Sequence, residues 1–286
     1  MSAVMKIHPV ANERRLGAIM LELGLLQTDQ IEPILKAQRE LGLPFGAAAM
    51  SLGLLTEVQL QQAMFSQFDY PYLVRGAGEL SPQLVAAYEP SSPQVEVLRA
   101  IRGRLLLQWF TPGQRALAVV STNNGDGRSF ITANLGVVFS QLGENTLLID
   151  ANLRAPHLHE LFKLDNSQGL SSILAGMAET DRIQPVPLLK NLSVLSAGPQ
   201  PPNPGELLVR PVFTELLQEL STQYEVIFID TPAGLICSET SMLAARAGGA
   251  LTVARKHRTR LSDLRQLNVV IRDAGARLIG SVLNEY

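Results

Sequence analysis

From Leu16 to Gln67 the apolar residues recur at helical spacing, whereas beyond Ala116 they gather into short unbroken runs. The runs ALAVVS, TLLID, LSVLSAG, VIFID, ALTVARK and LIGSVLN alternate with helical segments, the first of them Ser129 to Leu142. Strands that are apolar on both faces predict a buried, mostly parallel sheet covered by helices, an α/β arrangement whose ligands sit at the carboxyl ends of its strands.

The earlier segment is a tandem repeat. RLGAIMLELGLLQTDQIEPILKAQ (Arg15 to Gln38) aligns without a gap with PFGAAAMSLGLLTEVQLQQAMFSQ (Pro44 to Gln67). Gly17 matches Gly46, Gly24 matches Gly53, Leu25 and Leu26 match Leu54 and Leu55, and Gln38 matches Gln67, all at an offset of 29 residues. Each copy reads as a short helix ended by glycine, a Gly-Leu-Leu entry, and a second amphipathic helix introduced by Thr28 or Thr56. A small all-α unit over residues 1–75 is therefore expected, followed by a linker over 76–94 that is rich in proline and small residues around Ser91, Ser92 and Pro93.

The third region, 95–286, carries the chemistry. In STNNGDGRSF, Gly125 and Gly127 permit backbone amides to curl around phosphates, the next helix presents its positive end, and Ser129 can hold Mg²⁺. This is a P-loop with Thr122 in place of its first glycine and Arg128 in place of lysine. Arginine keeps the charge but is larger and planar. TLLID ends in Asp150 and VIFID in Asp230. Buried strands seldom end in unpaired acids, because an uncompensated charge is costly there. Mg²⁺ with a triphosphate satisfies both carboxylates, so Ser129, Asp150 and Asp230 are candidate metal ligands and Asp150, Arg128 and Asp230 candidate catalytic residues.

Composition narrows the partners. The 286 residues suit two domains, and charged residues make up 17 % against a usual ~25 %, leaving apolar surface for association. A net charge of −2 gives no pull toward nucleic acid. No apolar stretch approaches the ~20 residues that span a bilayer, the start lacks a signal peptide's apolar core, and Cys237 is the single cysteine, so a cytoplasmic protein is expected. Glu96, Arg99 and Arg102 share one helix face and read either as a solvated stripe or as an oligomer contact. The basic cluster Arg255, Lys256, His257, Arg258 and Arg260 reads either as a solvated helix start or as a contact for acidic lipid or a neighbouring subunit.

STNNGDGRS, LLIDANLRAPHLHELF, GLSSILAG, LSVLSAGPQPPNPGELL and VIFIDTPAG, in that order and spacing, resemble the bacterial tyrosine kinases that control polysaccharide chain length. The likeness covers roughly Val95 to Asn284, and Glu96, Arg99 and Arg102 match that family's Glu-x-x-Arg-x-x-Arg interface helix. The resemblance implies an ATP-dependent, non-specific protein-tyrosine kinase fold of the P-loop NTPase class, of the EpsG exopolysaccharide type. It implies ATP and Mg²⁺ held by Gly125, Asp126, Gly127, Arg128, Ser129 and Phe130, with Asn284 at the adenine. It also implies a homo-oligomeric ring and a transmembrane chain-length determinant as partner, which would hold the chain at the inner membrane. Two departures bear on activity: Asn152 stands where the family's Asp-x-Asp motif has its second acid, and Tyr286 is the single tail acceptor, since Tyr224 is expected to be packed. The alternative is a catalytically weak, ATP-binding assembly switch.

The repeat resembles the MshEN-type amino-terminal domain of type II secretion and pilus ATPases, whose paired motifs bind cyclic di-GMP. The ligand contacts that this implies are Arg15, Gly17, Gly24, Gly46 and Gly53. Pro44 occupies the position equivalent to Arg15 in the second copy.

Overall fold

The structure is a computed structural model that describes residues 16–67, 72–73 and 80–285; Arg15 and Tyr286 lie outside the described residues. The chain divides into two compact units, Met1–Tyr72 and Leu73–Tyr286.

The first unit contains α1 (Leu16–Glu22), α2 (Ile31–Leu41), α3 (Phe45–Ser51) and α4 (Glu57–Gln67). The repeat persists down to single hydrogen bonds. Gly24 and Gly53 take φ of 66° and 67°, and behind them the Leu25 amide donates to the Met20 carbonyl at 2.9 Å and the Leu54 amide to Ala49 at 3.0 Å. A left-handed residue closing a helix is the position where glycine is least strained. One expectation shifts by a residue. The Gln27 amide donates to Gln30 Oε1 at 2.8 Å, and at the equivalent positions the Thr56 amide donates to Gln59 Oε1 at 2.9 Å. Gln27, not Thr28, thus corresponds to Thr56 as the entry residue. Met20, Ile34, Ala48, Ala49 and Ala63 form the core, with Gly17 packed under the Phe45 ring and Gly46 under Leu60.

The second unit opens with α5 (Val85–Tyr88) and α6 (Pro93–Gln108), the latter capped by Ser92, whose Oγ accepts from the Val95 amide, with Pro93 in the first turn. Then follow β1 (Ala116–Ser121), α7 (Arg128–Ser140), β2 (Thr146–Asp150), α8 (Leu158–Phe162), α9 (Leu170–Leu174), β3 (Gln184–Pro185) and β4 (Leu192–Leu195). The chain ends with α10 (Pro204–Val209), α11 (Pro211–Gln223), β5 (Val226–Asp230), α12 (Glu239–Ala247), β6 (Gly249–Arg255), α13 (Leu261–Asp273) and β7 (Arg277–Asn284).

The seven strands form one sheet in the order β3-β4-β2-β5-β1-β6-β7, parallel except for the β3–β4 pair. The central strands are buried on both faces, as continuous apolar runs require. Alternate residues feed separate cores. Leu117, Val119, Leu148, Phe228 and Val253 meet α5, α6 and α7, while Leu147, Ile149, Ile227 and Ile229 meet α9, α10 and α11. Phe110, Phe139 and Phe228 pack edge-to-face with centroids 5.2 to 5.4 Å apart, joining α7 to β5.

Of the segment expected to be a linker, the described residues 80–94 pack as part of this unit. Leu84, Ala86, Ala87 and Val95 are fully buried in the main core. Asn134 of α7 holds the segment: its Oδ1 accepts from the Ala86 amide at 2.9 Å and its Nδ2 donates to the Gln83 and Phe130 carbonyls at 3.0 and 2.9 Å. Gln141 Nε2 donates to the Ala86 carbonyl at 3.0 Å. Proline and small residues suggested a domain boundary, but here the small residues permit close approach to α7. Asn134→Leu removes the acceptor of a buried amide and is expected to cost about 1–3 kcal/mol in denaturant unfolding, with faster hydrogen exchange at Ala86. Unchanged exchange at Ala86 would show that the segment is held by packing alone.

Candidate active site

Parallel pairing brings the site together. Asp150 and Asp230 are register partners at the ends of β2 and β5, and β1, beside β5, leads into the loop before α7. Gly125 and Gly127 take φ of 78° and 99°, so the loop turns on two residues without a Cβ. α7 begins immediately afterwards, and its first amides belong to the loop.

Asp230 is fully buried. One carboxylate oxygen, Oδ2, accepts the Ser129 hydroxyl at 2.5 Å, and the other, Oδ1, has no hydrogen-bond partner. Asp150, also fully buried, is more fully engaged: Oδ2 accepts from the His157 and Leu158 amides, each at 2.9 Å, and Oδ1 from the Asn152 amide at 3.2 Å. Burial pushes both carboxyl groups up from the ordinary carboxylate range. Asp230 adds to the rise at Asp150, while the Arg128 guanidinium opposes the rise at Asp230. An unpartnered oxygen beside a serine hydroxyl, at the end of a phosphate-type loop, is a donor set that suits a hard divalent cation. Ser129 and Asp230 would hold Mg²⁺ most directly, with Asp150 behind them.

Arg128 is held by several acceptors of the protein itself. Its Nε donates to the Thr231 carbonyl at 2.9 Å, and its Nη1 donates to the Asn123 carbonyl at 2.8 Å and to Ser121 Oγ. Only 6 % of the residue is exposed, and this burial lowers its pKa against the attraction of Asp230 and Asp126. The larger planar group has found acceptors in the loop and at the ends of β1 and β5, and arginine's fixed fork favours such a multipoint site. Asp126 also turns inward, accepting the Thr122 hydroxyl at 3.0 Å and the Asn123 amide at 2.9 Å.

Asn284 lies against the loop: its Nδ2 donates to the Asp126 carbonyl at 3.1 Å and occupies the space where a side chain on Gly127 would begin. With Phe130, Ile131, Val97, Ile101 and Leu283 it also lines a cavity of about 540 Å³. Asn152 makes a local turn, its Nδ2 donating to the Ala155 carbonyl at 2.7 Å, a bond that an aspartate could not donate. In α6, Glu96 pairs with Arg99, and Arg102 donates to the Val138 carbonyl at 2.5 Å. Gly17, Gly24, Gly46 and Gly53 belong to the other unit, where turn geometry and helix packing account for them.

Sequence reading missed several groups. Thr231 receives Arg128, Thr259 donates to Asp126 Oδ1 at 3.2 Å, and Arg255 Nη1 donates to the Gly125 carbonyl at 2.9 Å. Glu239, almost fully buried, pairs with Arg154 at 2.7 Å. The basic cluster around Arg255 was visible, but nothing in its spacing located the loop it contacts.

The family profile described as NUBPL iron-transfer P-loop NTPase, of the ParA group, matches residues 113–285. EpsB of Ralstonia solanacearum is 34 % identical over 201 residues, which are 70 % of this chain and 27 % of that protein. The tyrosine-protein kinase YwqD of Bacillus subtilis is 32 % identical over 201 residues, 70 % of this chain and 85 % of YwqD. Among solved structures, the kinase domain of the Escherichia coli tyrosine kinase ETK superposes with a TM-score of 0.69 at 30 % identity, over 73 % of this chain and 82 % of that one. The septum site-determining protein MinD of Pyrococcus horikoshii, complexed with Mg-ADP, gives 0.53 at 27 % identity, over 60 % of this chain and 70 % of that one. Fold and loop together define a P-loop NTPase of the ParA group. Within that class the chain belongs to the bacterial tyrosine-kinase family of the EpsB, YwqD and Wzc type.

The raised carboxyl groups have a measurable consequence. Above about pH 4, where unfolded carboxyls lose their protons, the folded chain retains more protons than the unfolded one, so this pair's contribution to stability falls as pH rises toward neutrality. Thermal midpoints of ligand-free protein between about pH 5 and pH 8 will fall more steeply for the native chain than for Asp150→Asn. Parallel curves would show that the pair titrates normally.

Proposed function

We propose that the chain is an ATP-dependent protein tyrosine autokinase that regulates the chain length, polymerisation or export of an exopolysaccharide. The observation that carries this reading is the unpartnered Oδ1 of Asp230 beside the Ser129 hydroxyl, at the mouth of a P-loop in a chain of the tyrosine-kinase family. Mg²⁺, when bound, neutralises phosphate charge and draws the transferring group into line. The amides of Gly125 to Gly127 and the first turn of α7 receive the phosphates. Asp150 orders the Asn152–Leu158 segment through three amides and keeps the wall of the site rigid. The 540 Å³ cavity beside Phe130 and Asn284 suits the base. A second cavity, of about 710 Å³ between Arg154, Asn203, Ile236 and Glu239, is open to an acceptor segment.

A second reading has its own support. The Asn152 amide is bonded to Ala155 and cannot take a proton near neutral pH, and Arg128 is engaged by protein carbonyls. An ATP-gated assembly switch with little phosphoryl transfer fits both facts. The proposed partners are a transmembrane chain-length determinant and further copies of this chain through Glu96, Arg99 and Arg102, with a location at the inner membrane through that partner. Among the described residues no helix is long and apolar enough to cross a membrane. For the repeat unit, cyclic di-GMP is the ligand that the MshEN resemblance names, and its binding rests on that resemblance.

Incubation of the protein and its partner's cytoplasmic tail with Mg-ATP, followed by phosphotyrosine mapping in a mass spectrometer, separates the two readings. Phosphotyrosine that disappears in Asp230→Asn supports the kinase; ATP binding without phosphotyrosine supports the switch. Replacing Arg99 and Arg102 together is expected to lower the assembled mass in light scattering, and an unchanged mass would remove α6 from the interface.

A further inference from the structure

The turn between β6 and α13 is fastened to the P-loop. The Arg255 amide donates to Thr259 Oγ1 at 2.8 Å, that hydroxyl donates to Asp126 Oδ1 at 3.2 Å, and Arg255 Nη1 reaches the Gly125 carbonyl at 2.9 Å. His257, at φ 60°, makes the tight bend that brings Arg258 back over the loop. The Arg258 guanidinium lies directly against Gly125: Nη1 and Cζ are 2.9 and 3.5 Å from the point where a Cβ on that residue would stand. A side chain at position 125 would therefore displace it.

Two facts make this placement unusual. The Arg258 side chain makes no hydrogen bond and no ion pair among the described residues, although it rests against a fixed part of the loop. Arg128, which occupies the position of the P-loop lysine, has its guanidinium bonded to Thr231, Ser121 and Asn123. A polyphosphate entering beside the Asp150 and Asp230 carboxylates would add like charge, and backbone amides carry only partial positive charge to offset it.

We propose that Arg258 is the side-chain cation that contacts the polyphosphate of the bound nucleotide, in the role that a P-loop lysine holds where one is present. The proposal rests on the ATP reading above and adds a residue from a distant turn to that site. It also gives part of the basic cluster a ligand: Arg255 fixes the turn, and Arg258 meets the phosphates.

Calorimetric titration of the full chain with ATP, ADP and AMP in the presence of Mg²⁺ tests it. Arg258→Ala is expected to weaken ATP binding on the order of tenfold, Arg258→Lys to restore most of the loss, and AMP binding to change little. Should Arg258→Ala melt early, Arg258→Gln is expected to show the same loss. ATP binding within about twofold of native in a folded Arg258→Ala would overturn the proposal, as would an equal loss for all three nucleotides, which assigns the contact to the base or ribose. A native chain that binds no ATP would instead overturn the reading of the site itself, and this inference with it.

Discussion

Two carboxylates side by side at the ends of buried neighbouring strands constrain the rest of the nucleotide unit. Parallel pairing of β2 with β5 puts Asp150 and Asp230 in register, and burial of both strands removes water from each. Two like charges in such a place are expensive, and the surroundings divide that cost unequally. Asp150 is surrounded by three amides, whereas Asp230 has one hydroxyl and one open oxygen. The asymmetry leaves Asp150 engaged by backbone amides on both oxygens and Asp230 with one oxygen open.

The P-loop is built around this pair and buttressed from both sides. Arg128 ties the loop to the end of β5 through the Thr231 carbonyl and to the end of β1 through Ser121 Oγ. Thr259 and Arg255 fasten the β6–α13 turn to Asp126 and Gly125. Asn284, from the last strand, fills the space over Gly127. The loop is thereby held by three neighbouring strands, and its shape depends on the packing of the whole sheet.

The same economy of small residues governs the approach to the sheet. Ala86 and Ala87 lie flush against α7 because they have little side chain to exclude, and Asn134 satisfies the buried backbone that this close contact creates. Since α7 begins in the P-loop, the segment leading into the nucleotide unit is joined to the helix that carries the site. In the helical unit, small size serves a related purpose: Gly17 and Gly46 admit Phe45 and Leu60 between helices.

Much of this was legible in the chain. The 29-residue offset specified two copies of one helical unit, because the glycines that end helices and the leucines that fill their core occupy fixed places in a local turn. The alternation of apolar runs with helices specified the sheet, and the runs TLLID and VIFID put Asp150 and Asp230 at the ends of buried strands, since both signals are local and a buried acid is conspicuous. Side-chain direction was not legible. Which acceptors Arg128 finds depends on carbonyls from residues 231 and 123, and whether Arg258 touches Gly125 depends on a strand order that skips along the sequence. Sequence by itself determined which elements form and which residues terminate them, through propensities that act within a few positions. Only the tertiary structure decided which partner each polar side chain finds, because those partners come from strands brought together by the burial of the sheet.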